Sequence, residues 1–90
     1  MNTTMQIAAA YAQKLDNAFR QLTQMRSRGW FESELAYTLQ YEDLCQDIHA
    51  EGGELRRDAA GVHAVRLPGC TDWVQITPRG GERRCLESTA

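Results

Sequence analysis

The sequence is short of large aliphatic side chains and lacks any long apolar run. No stretch approaches the roughly 20 apolar residues of a transmembrane helix, and no basic segment precedes Ile7–Ala12 as it would in a signal peptide. Leu, Ile, Val and Phe number only 16 of 90 residues, which is close to the composition of disordered chains. A formal net charge of -2 and seven aromatic side chains instead favour a folded chain. We therefore predict one cytoplasmic domain, residues 1–90, that does not enter a membrane.

Cysteine is also scarce, and its three positions form no recognisable framework. Cys45, Cys70 and Cys85 are odd in number and widely spaced, which does not predict disulfide bonds. Cys45 and His49 lie four residues apart and would supply half of a zinc site, with the rest supplied by His63, Cys70 or Cys85. No C-x-x-C pair accompanies them, so we predict neither a metal site nor any other cofactor.

No motif of a common enzyme class is present. The sequence has no phosphate-binding loop, no dinucleotide-binding glycine pattern and no nucleophile elbow. Glu42 and Asp43 are neighbours, and neighbouring helical residues do not face each other as an acid–base pair must. Cys85 has no base at a recognisable spacing to activate its thiol. We predict that the protein is not an enzyme and has no catalytic residues.

Two long helices are predicted in the first half of the chain. Apolar residues recur at helical spacing from Ile7 to Met25, which predicts a helix over residues 4–28. Gly29 is a suitable residue to end it. A second helix is predicted over residues 31–50, before a pair of glycines. The tight connection between the two predicts an antiparallel helical hairpin.

The second predicted helix carries two apolar stripes. One is expected to pack on the first helix, and its members are Trp30, Tyr37, Tyr41, Leu44, Cys45 and Ile48. The other consists of Phe31, Leu35 and Leu39 and lies about a third of a turn or more away. A helix that is apolar on two sides is usually buried on two sides, so we expect the following strands to cover the second stripe. Left uncovered, it would form an apolar interface for a homodimer or a target.

The second half of the chain changes to short alternating runs separated by turns. Strands are predicted at Leu55–Arg57, Val62–Leu67, Trp73–Thr77 and Glu82–Leu86. The turn signals between them indicate an antiparallel meander over about residues 54–86. Helices first and strands second predict an α+β fold. In it the N-terminal hairpin, about residues 4–50, packs on a small three- to four-stranded antiparallel sheet.

The low net charge hides a strong division along the chain. Residues 1–29, 30–51 and 52–90 carry formal charges of +3, -6 and +1. The middle segment has no Lys or Arg, and the members of its acidic ridge are Glu32, Asp43, Asp47 and Glu51. One interpretation is that this acidic ridge is the solvated side of the second helix. The other is that it binds the basic surface of a partner in the place of a phosphate backbone.

Arginine provides nine of the ten basic residues, and its guanidinium suits bidentate binding of carboxylates and phosphates. An alternative basic surface consists of Arg56, Arg57, Arg79, Arg83 and Arg84. Trp73 lies nearby as a side chain on which a base can stack. Alternation places Trp73 and Val74 on opposite faces of the sheet and leaves open which face is the core. A charge of only +1 over residues 52–90 argues against nucleic acid as the main partner.

The whole profile is short, without an enzyme motif and divided in charge. It resembles that of small phage- or plasmid-borne inhibitors such as anti-CRISPR and antirestriction proteins. We therefore predict a non-enzymatic interaction protein, monomeric or homodimeric, that inhibits or regulates a larger assembly by surface binding. Its partner would be a protein or a nucleoprotein complex, such as a host defence complex that handles nucleic acid. The alternatives are direct nucleic-acid binding by the arginine surface and a structural homodimerisation module.

Overall fold

The chain forms two helices followed by an antiparallel sheet, which confirms the predicted α+β fold with an N-terminal helical hairpin. The computed structural model describes residues 3–76 and 83–86. Its elements are α1 (Thr3–Ser27), α2 (Phe31–Ala50), β1 (Glu54–Arg57), β2 (His63–Arg66), β3 (Trp73–Ile76) and β4 (Arg83–Leu86). Neither helix combines the length and apolar character needed to cross a bilayer. Arg79 and the predicted turn around it lie outside the described residues.

The connection between the helices is a tight glycine turn. Gly29 has a φ of 73°, a left-handed conformation that glycine adopts without a steric cost. The N–H of Trp30 donates to the carbonyl of Met25 at 3.0 Å, and the N–H of Gly29 donates to the carbonyl of Arg26 at 3.1 Å. These two bonds satisfy carbonyls at the end of α1 and turn the chain back. The Arg26 side chain then pairs with Glu34 of α2 at 2.7 Å, so it also holds the start of the second helix.

The sheet is a meander in the order β1-β2-β3-β4, with every neighbouring pair antiparallel. Leu55 pairs with Val65, and Val65 pairs with Val74, so these three residues form one row across three strands. This row lies in or against the core beneath the helices. Arg56 pairs with Ala64, and the sheet face that includes these two residues points away from the helices.

The core lies between the helical hairpin and one face of the sheet. Its buried members are Ala8, Ala9, Ala12, Leu15, Ala18, Leu44, Ile48, Val65, Leu67 and Val74. Helix α1 is the central element, because it packs against α2 and also against β2 and β3, whereas α2 reaches the sheet mainly at β1. The alanines of α1 let the neighbouring backbones approach closely.

The prediction that the sheet covers the second stripe of α2 is wrong. The side chains of Phe31, Leu35 and Leu39 are 74%, 58% and 52% exposed. The sheet lies against α1 instead, and only one side of α2 is buried. Ile7, where the apolar periodicity of α1 begins, is also 43% exposed.

The structure resolves which side of the Trp73 strand faces the core. Val74 is 1% exposed and belongs to the core, whereas Trp73 is 7% exposed on the opposite face of the sheet. Two arginines, Arg56 and Arg66, lie over the Trp73 ring and cover it. Trp73 is therefore buried by charged side chains and not by the helices.

Candidate interaction surfaces

The outward face of α2 presents a stripe of large apolar side chains to solvent. Phe31, Leu35 and Leu39 are spaced at i, i+4 and i+8, so they lie along one side of the helix over about 12 Å. All three are more than half exposed. Trp30, which directly precedes the helix, is 52% exposed, so the prediction that it packs on the first helix is wrong. We call these four residues the apolar stripe. A contiguous exposed set of this kind is uncommon on a monomer and marks interaction sites.

The acidic ridge only partly shares the side of the apolar stripe. At about 100° per residue, Glu32 and Asp43 lie beside Leu39 around the helix axis, and Asp47 lies at the margin. All three are exposed. Glu51 turns towards α1. The structure therefore brings two acidic residues together with the apolar stripe, and separates Glu51 from them.

Glu51 is engaged within the molecule. The Tyr11 hydroxyl of α1 donates a hydrogen bond to its carboxylate. This bond, together with desolvation and the nearby negative charges, raises the pKa of Tyr11 from 10.0 to about 12. Glu51 thus links the end of α2 to α1, which gives it a structural role within the hairpin.

The predicted basic surface is divided between two sides of the sheet. The guanidinium carbon of Arg56 lies 4.2 Å from the centre of the Trp73 ring, on the outer face. The guanidinium carbon of Arg57 lies 4.4 Å from the centre of the Phe19 ring of α1, on the helix side. Neighbouring strand residues point to opposite faces, which explains the division. Arg66 was not part of the predicted set, yet it joins Arg56 over Trp73 at 4.7 Å.

The remaining predicted arginines lie on or beyond β4. Arg83 and Arg84 are placed by the backbone register, opposite Ile76 and Gln75 of β3. Arg79 lies outside the described residues. A groove of about 260 Å³ is lined by three residues of the outer face, Arg56, Ala64 and Gln75, together with Arg57, Asp58 and Val62.

A buried polar network that the sequence did not predict joins three elements. His63 of β2 is fully buried, and its Nδ1 lies 2.8 Å from the Asp16 carboxylate of α1. The same carboxylate oxygen accepts the His63 backbone N–H at 2.7 Å. With Nδ1 donating to Asp16, the other ring nitrogen accepts from the Tyr41 hydroxyl of α2 at 2.8 Å. The network therefore joins both helices to the sheet and satisfies both nitrogens of the imidazole.

Two aromatic rings pack against the His63 ring of this network. The Phe19 and Tyr41 rings lie 5.6 and 5.4 Å from the His63 ring, both edge to face. Burial raises the pKa of the Tyr41 hydroxyl, while the guanidinium of Arg57 acts in the opposite direction. The only sequence signal for the network was Asp16 itself, the single acidic residue of the basic N-terminal segment.

The cysteines and histidines do not gather into a metal site within residues 3–76 and 83–86. Cys45 and Cys70 are free thiols, and both are partly exposed. Burial raises the pKa of the Cys45 thiol, with the carboxylate of Glu42 adding to the effect. His49 is exposed, while His63 is used by the polar network.

Comparison with known proteins provides no functional assignment. The chain matches no protein-family model, no curated protein and no solved structure. The apolar stripe with its carboxylates and the arginine-covered outer sheet face are therefore the features from which a function is inferred.

Proposed function

We propose that the protein is a non-enzymatic interaction protein that binds a larger assembly through the outward face of α2 and thereby inhibits or regulates it. The observation that carries the proposal is the exposure of Phe31, Leu35 and Leu39 in one line. Single exposed leucines are ordinary on protein surfaces. Three large apolar side chains aligned along one helix, with Trp30 at their end, are typical of the centre of a protein interface.

Folding gives no reason for these residues to be apolar. Burying a Leu or Phe side chain fully is worth about 1.5–3 kcal/mol, and little of this is gained at positions that remain more than half exposed. The chain has few large aliphatic residues to place. Their position on the outward face is accounted for by a partner that buries them on binding.

The charges around the apolar stripe favour a basic partner. Glu32 and Asp43 lie along one side of the stripe, and residues 30–51 contain no Lys or Arg. Arg28 lies over the Trp30 ring at the end of the stripe, 5.1 Å from its centre. Two copies that met through this face would bring like charges together, which disfavours a homodimer. A surface with an apolar centre and surrounding lysines or arginines complements it. Proteins that bind phosphate backbones carry such basic surfaces, so we propose a nucleic-acid-handling assembly as the target.

The inhibitory role is inferred from the short length and the divided charge of the chain. Small phage- and plasmid-borne inhibitors, such as anti-CRISPR and antirestriction proteins, share its short length and divided charge. Binding at a phosphate-binding surface would exclude nucleic acid from the target. A host defence complex is the kind of assembly on which such exclusion acts.

Site-specific crosslinking tests the proposal. A photoreactive amino acid replaces Leu35 in one protein and the exposed Gln24 of α1 in a control, and the crosslinked partner is identified and purified. Binding of that partner is then measured by calorimetry. Leu35→Ala and Phe31→Ala should each weaken it about thirtyfold or more, as expected of central interface residues. The Glu32→Lys, Asp43→Lys double variant should weaken it further.

Two controls make the outcome decisive. Gln24→Lys adds a positive charge to α1 and should leave binding unchanged, and circular dichroism should be the same for every variant. Unchanged affinity in the Leu35 and Phe31 variants would overturn the proposal. Sedimentation that shows a dimer dissociated by Leu35→Asp would replace the basic partner with a second copy of the chain.

A further inference from the structure

We propose that the outer face of the sheet is a second binding site, specific for single-stranded nucleic acid. This outer face consists of Arg56, Ala64, Arg66, Trp73 and Gln75, on the side opposite the helices. The site goes beyond the proposed function, because it lies on another layer of the molecule and uses none of the residues of the apolar stripe.

Trp73 holds two guanidinium groups in place on this face. The guanidinium carbons of Arg56 and Arg66 lie 4.2 and 4.7 Å from the centre of its ring. A guanidinium fixed on an indole loses little conformational freedom when it binds a ligand. Its plane can stack on an unpaired base, and its N–H groups donate to phosphate oxygens. Arg56 has no carboxylate partner within salt-bridge distance among the described residues, so its donors are available.

The backbone register places four residues in one row across the four strands of the sheet. Arg56 pairs with Ala64, Ala64 with Gln75, and Gln75 with Arg84. With strands about 4.8 Å apart, the Cα atoms at its two ends are about 14 Å apart. The small Ala64 side chain leaves room for the groove of about 260 Å³ that Arg56 and Gln75 line. The groove gives an extended strand a path over the sheet, with an amide at its centre that both donates and accepts hydrogen bonds.

The two acidic groups near this face both have partners within the protein. Glu54 pairs with Arg66 of the outer face itself and neutralises that guanidinium, so Arg56 is the arginine whose donors are available to a ligand. The Asp58 carboxylate accepts the backbone N–H groups of Ala60 and Val62, both at 2.9 Å, within its own loop. The acidic residues of α2 lie on the helical layer. A chain of formal charge -2 therefore still presents the Arg56 guanidinium to a phosphate backbone on this side.

The geometry favours a single strand over a duplex. Within residues 3–76 and 83–86, the outer face is a short sheet of four-residue strands and presents no helix or ribbon that enters a major groove. Stacking on guanidinium planes needs unpaired bases, which single strands provide.

Fluorescence anisotropy with a fluorescein-labelled oligothymidylate tests the proposal on the full chain. We expect a dissociation constant of about 1–100 µM at physiological salt, tightening as salt is lowered. A duplex of the same length should bind more weakly. Quenching of the Trp73 emission in a Trp30→Phe background would report contact at the outer face.

Three variants that change the net charge equally distinguish binding at a defined site from nonspecific electrostatic attraction of the oligonucleotide to the whole protein. Arg56→Gln and Gln75→Glu alter the outer face, and Arg20→Gln alters the exposed side of α1. We expect the first two to weaken binding about tenfold and Arg20→Gln to have little effect. Arg56→Gln should also reduce the slope of log K against log salt by about 0.7, the value for one phosphate contact on a single strand.

The outcomes that overturn the proposal are distinct from those that overturn the proposed function. Absence of oligonucleotide binding at low salt, equal loss in all three variants, or preference for the duplex would each reject it. If Arg56→Gln unfolds the chain, Gln75→Glu still tests the proposal, because Glu and Gln side chains are nearly isosteric. Leu35→Ala should leave oligonucleotide binding intact, and Gln75→Glu should leave the α2 partner bound. Preferential capture of an acidic protein by the outer face would also reject nucleic acid as its ligand.

Discussion

The two helices of the hairpin use apolar residues in opposite ways. Helix α1 is buried mainly through alanines, such as Ala8 and Ala12, which are 0% exposed. Helix α2 carries larger apolar residues, yet Phe31 and Leu35 point into solvent. Small side chains allow α1 to lie close to both α2 and the sheet. The contrast teaches that the helix with the larger apolar residues is not the centre of the core, and that its outward face is better explained by binding than by folding.

The strongest test of this difference between the helices is to truncate one leucine on each of them. Leu15 of α1 is fully buried, so Leu15→Ala should lower the free energy of unfolding by about 2–5 kcal/mol. Leu35→Ala on α2 removes the same atoms from a side chain that is 58% exposed, and should change it by less than about 0.5 kcal/mol. Urea unfolding measures both. Equal losses would contradict the assignment of the outward face.

A second pair of variants compares two tyrosines of α2. Tyr41→Phe removes the hydroxyl that bonds to His63, which leaves a buried ring nitrogen unpaired and should cost about 1–3 kcal/mol. Tyr37 is half-buried on the same helix and makes no hydrogen bond through its side chain among the described residues. Tyr37→Phe should therefore be close to neutral in thermal unfolding. A similar loss in both variants would show that the hydrogen bond to His63 is not the source of the loss.

The ion pair between the two helices should contribute less to the free energy of unfolding than the hydrogen bond of Tyr41. Arg26 and Glu34 meet at 2.7 Å, but the Arg26 side chain is 65% exposed. Exposed pairs are worth about 0.2–1 kcal/mol, so Glu34→Ala should lower stability by that amount and the loss should shrink in high salt. Glu32→Ala, two residues earlier on the outward face, is the matched control. We expect no measurable change for it in the same denaturant titration.

The smallest effect is a pH dependence carried by Tyr11. Below pH 10 its phenol is protonated in the folded and unfolded chains, so its stabilising bond to Glu51 is fully present. Because the folded pKa is about 12, the unfolded chain loses this proton first, and stability falls as the pH rises from about 10 to about 12. Tyr11→Phe should show a shallower decline over that range. Parallel curves for the two proteins would refute the assignment.

Local sequence signals predicted the helices and strands. They did not predict the contacts between residues that are far apart in the sequence. The helix end at Gly29 and the four strands follow from turn residues and periodicity, which act over a few neighbours. Asp16 and His63 are 47 positions apart, so no spacing rule joins them. Periodicity also found both stripes of α2 but carried no information on which one the sheet covers. Phe31, Leu35 and Leu39 were identified from the sequence as one stripe, but their exposure follows from the packing of the sheet on α1, which the sequence did not predict.

The position of β1 at one edge of the sheet has a consequence for how the protein behaves at high concentration. Edge strands offer unpaired backbone groups on which another chain can add a strand, and this begins many aggregation processes. β1 ends in Arg56 and Arg57, so two such edges that approached each other would bring four guanidinium groups together. We expect these arginines to slow aggregation in concentrated solutions. Replacing both with neutral residues should shorten the time before turbidity develops.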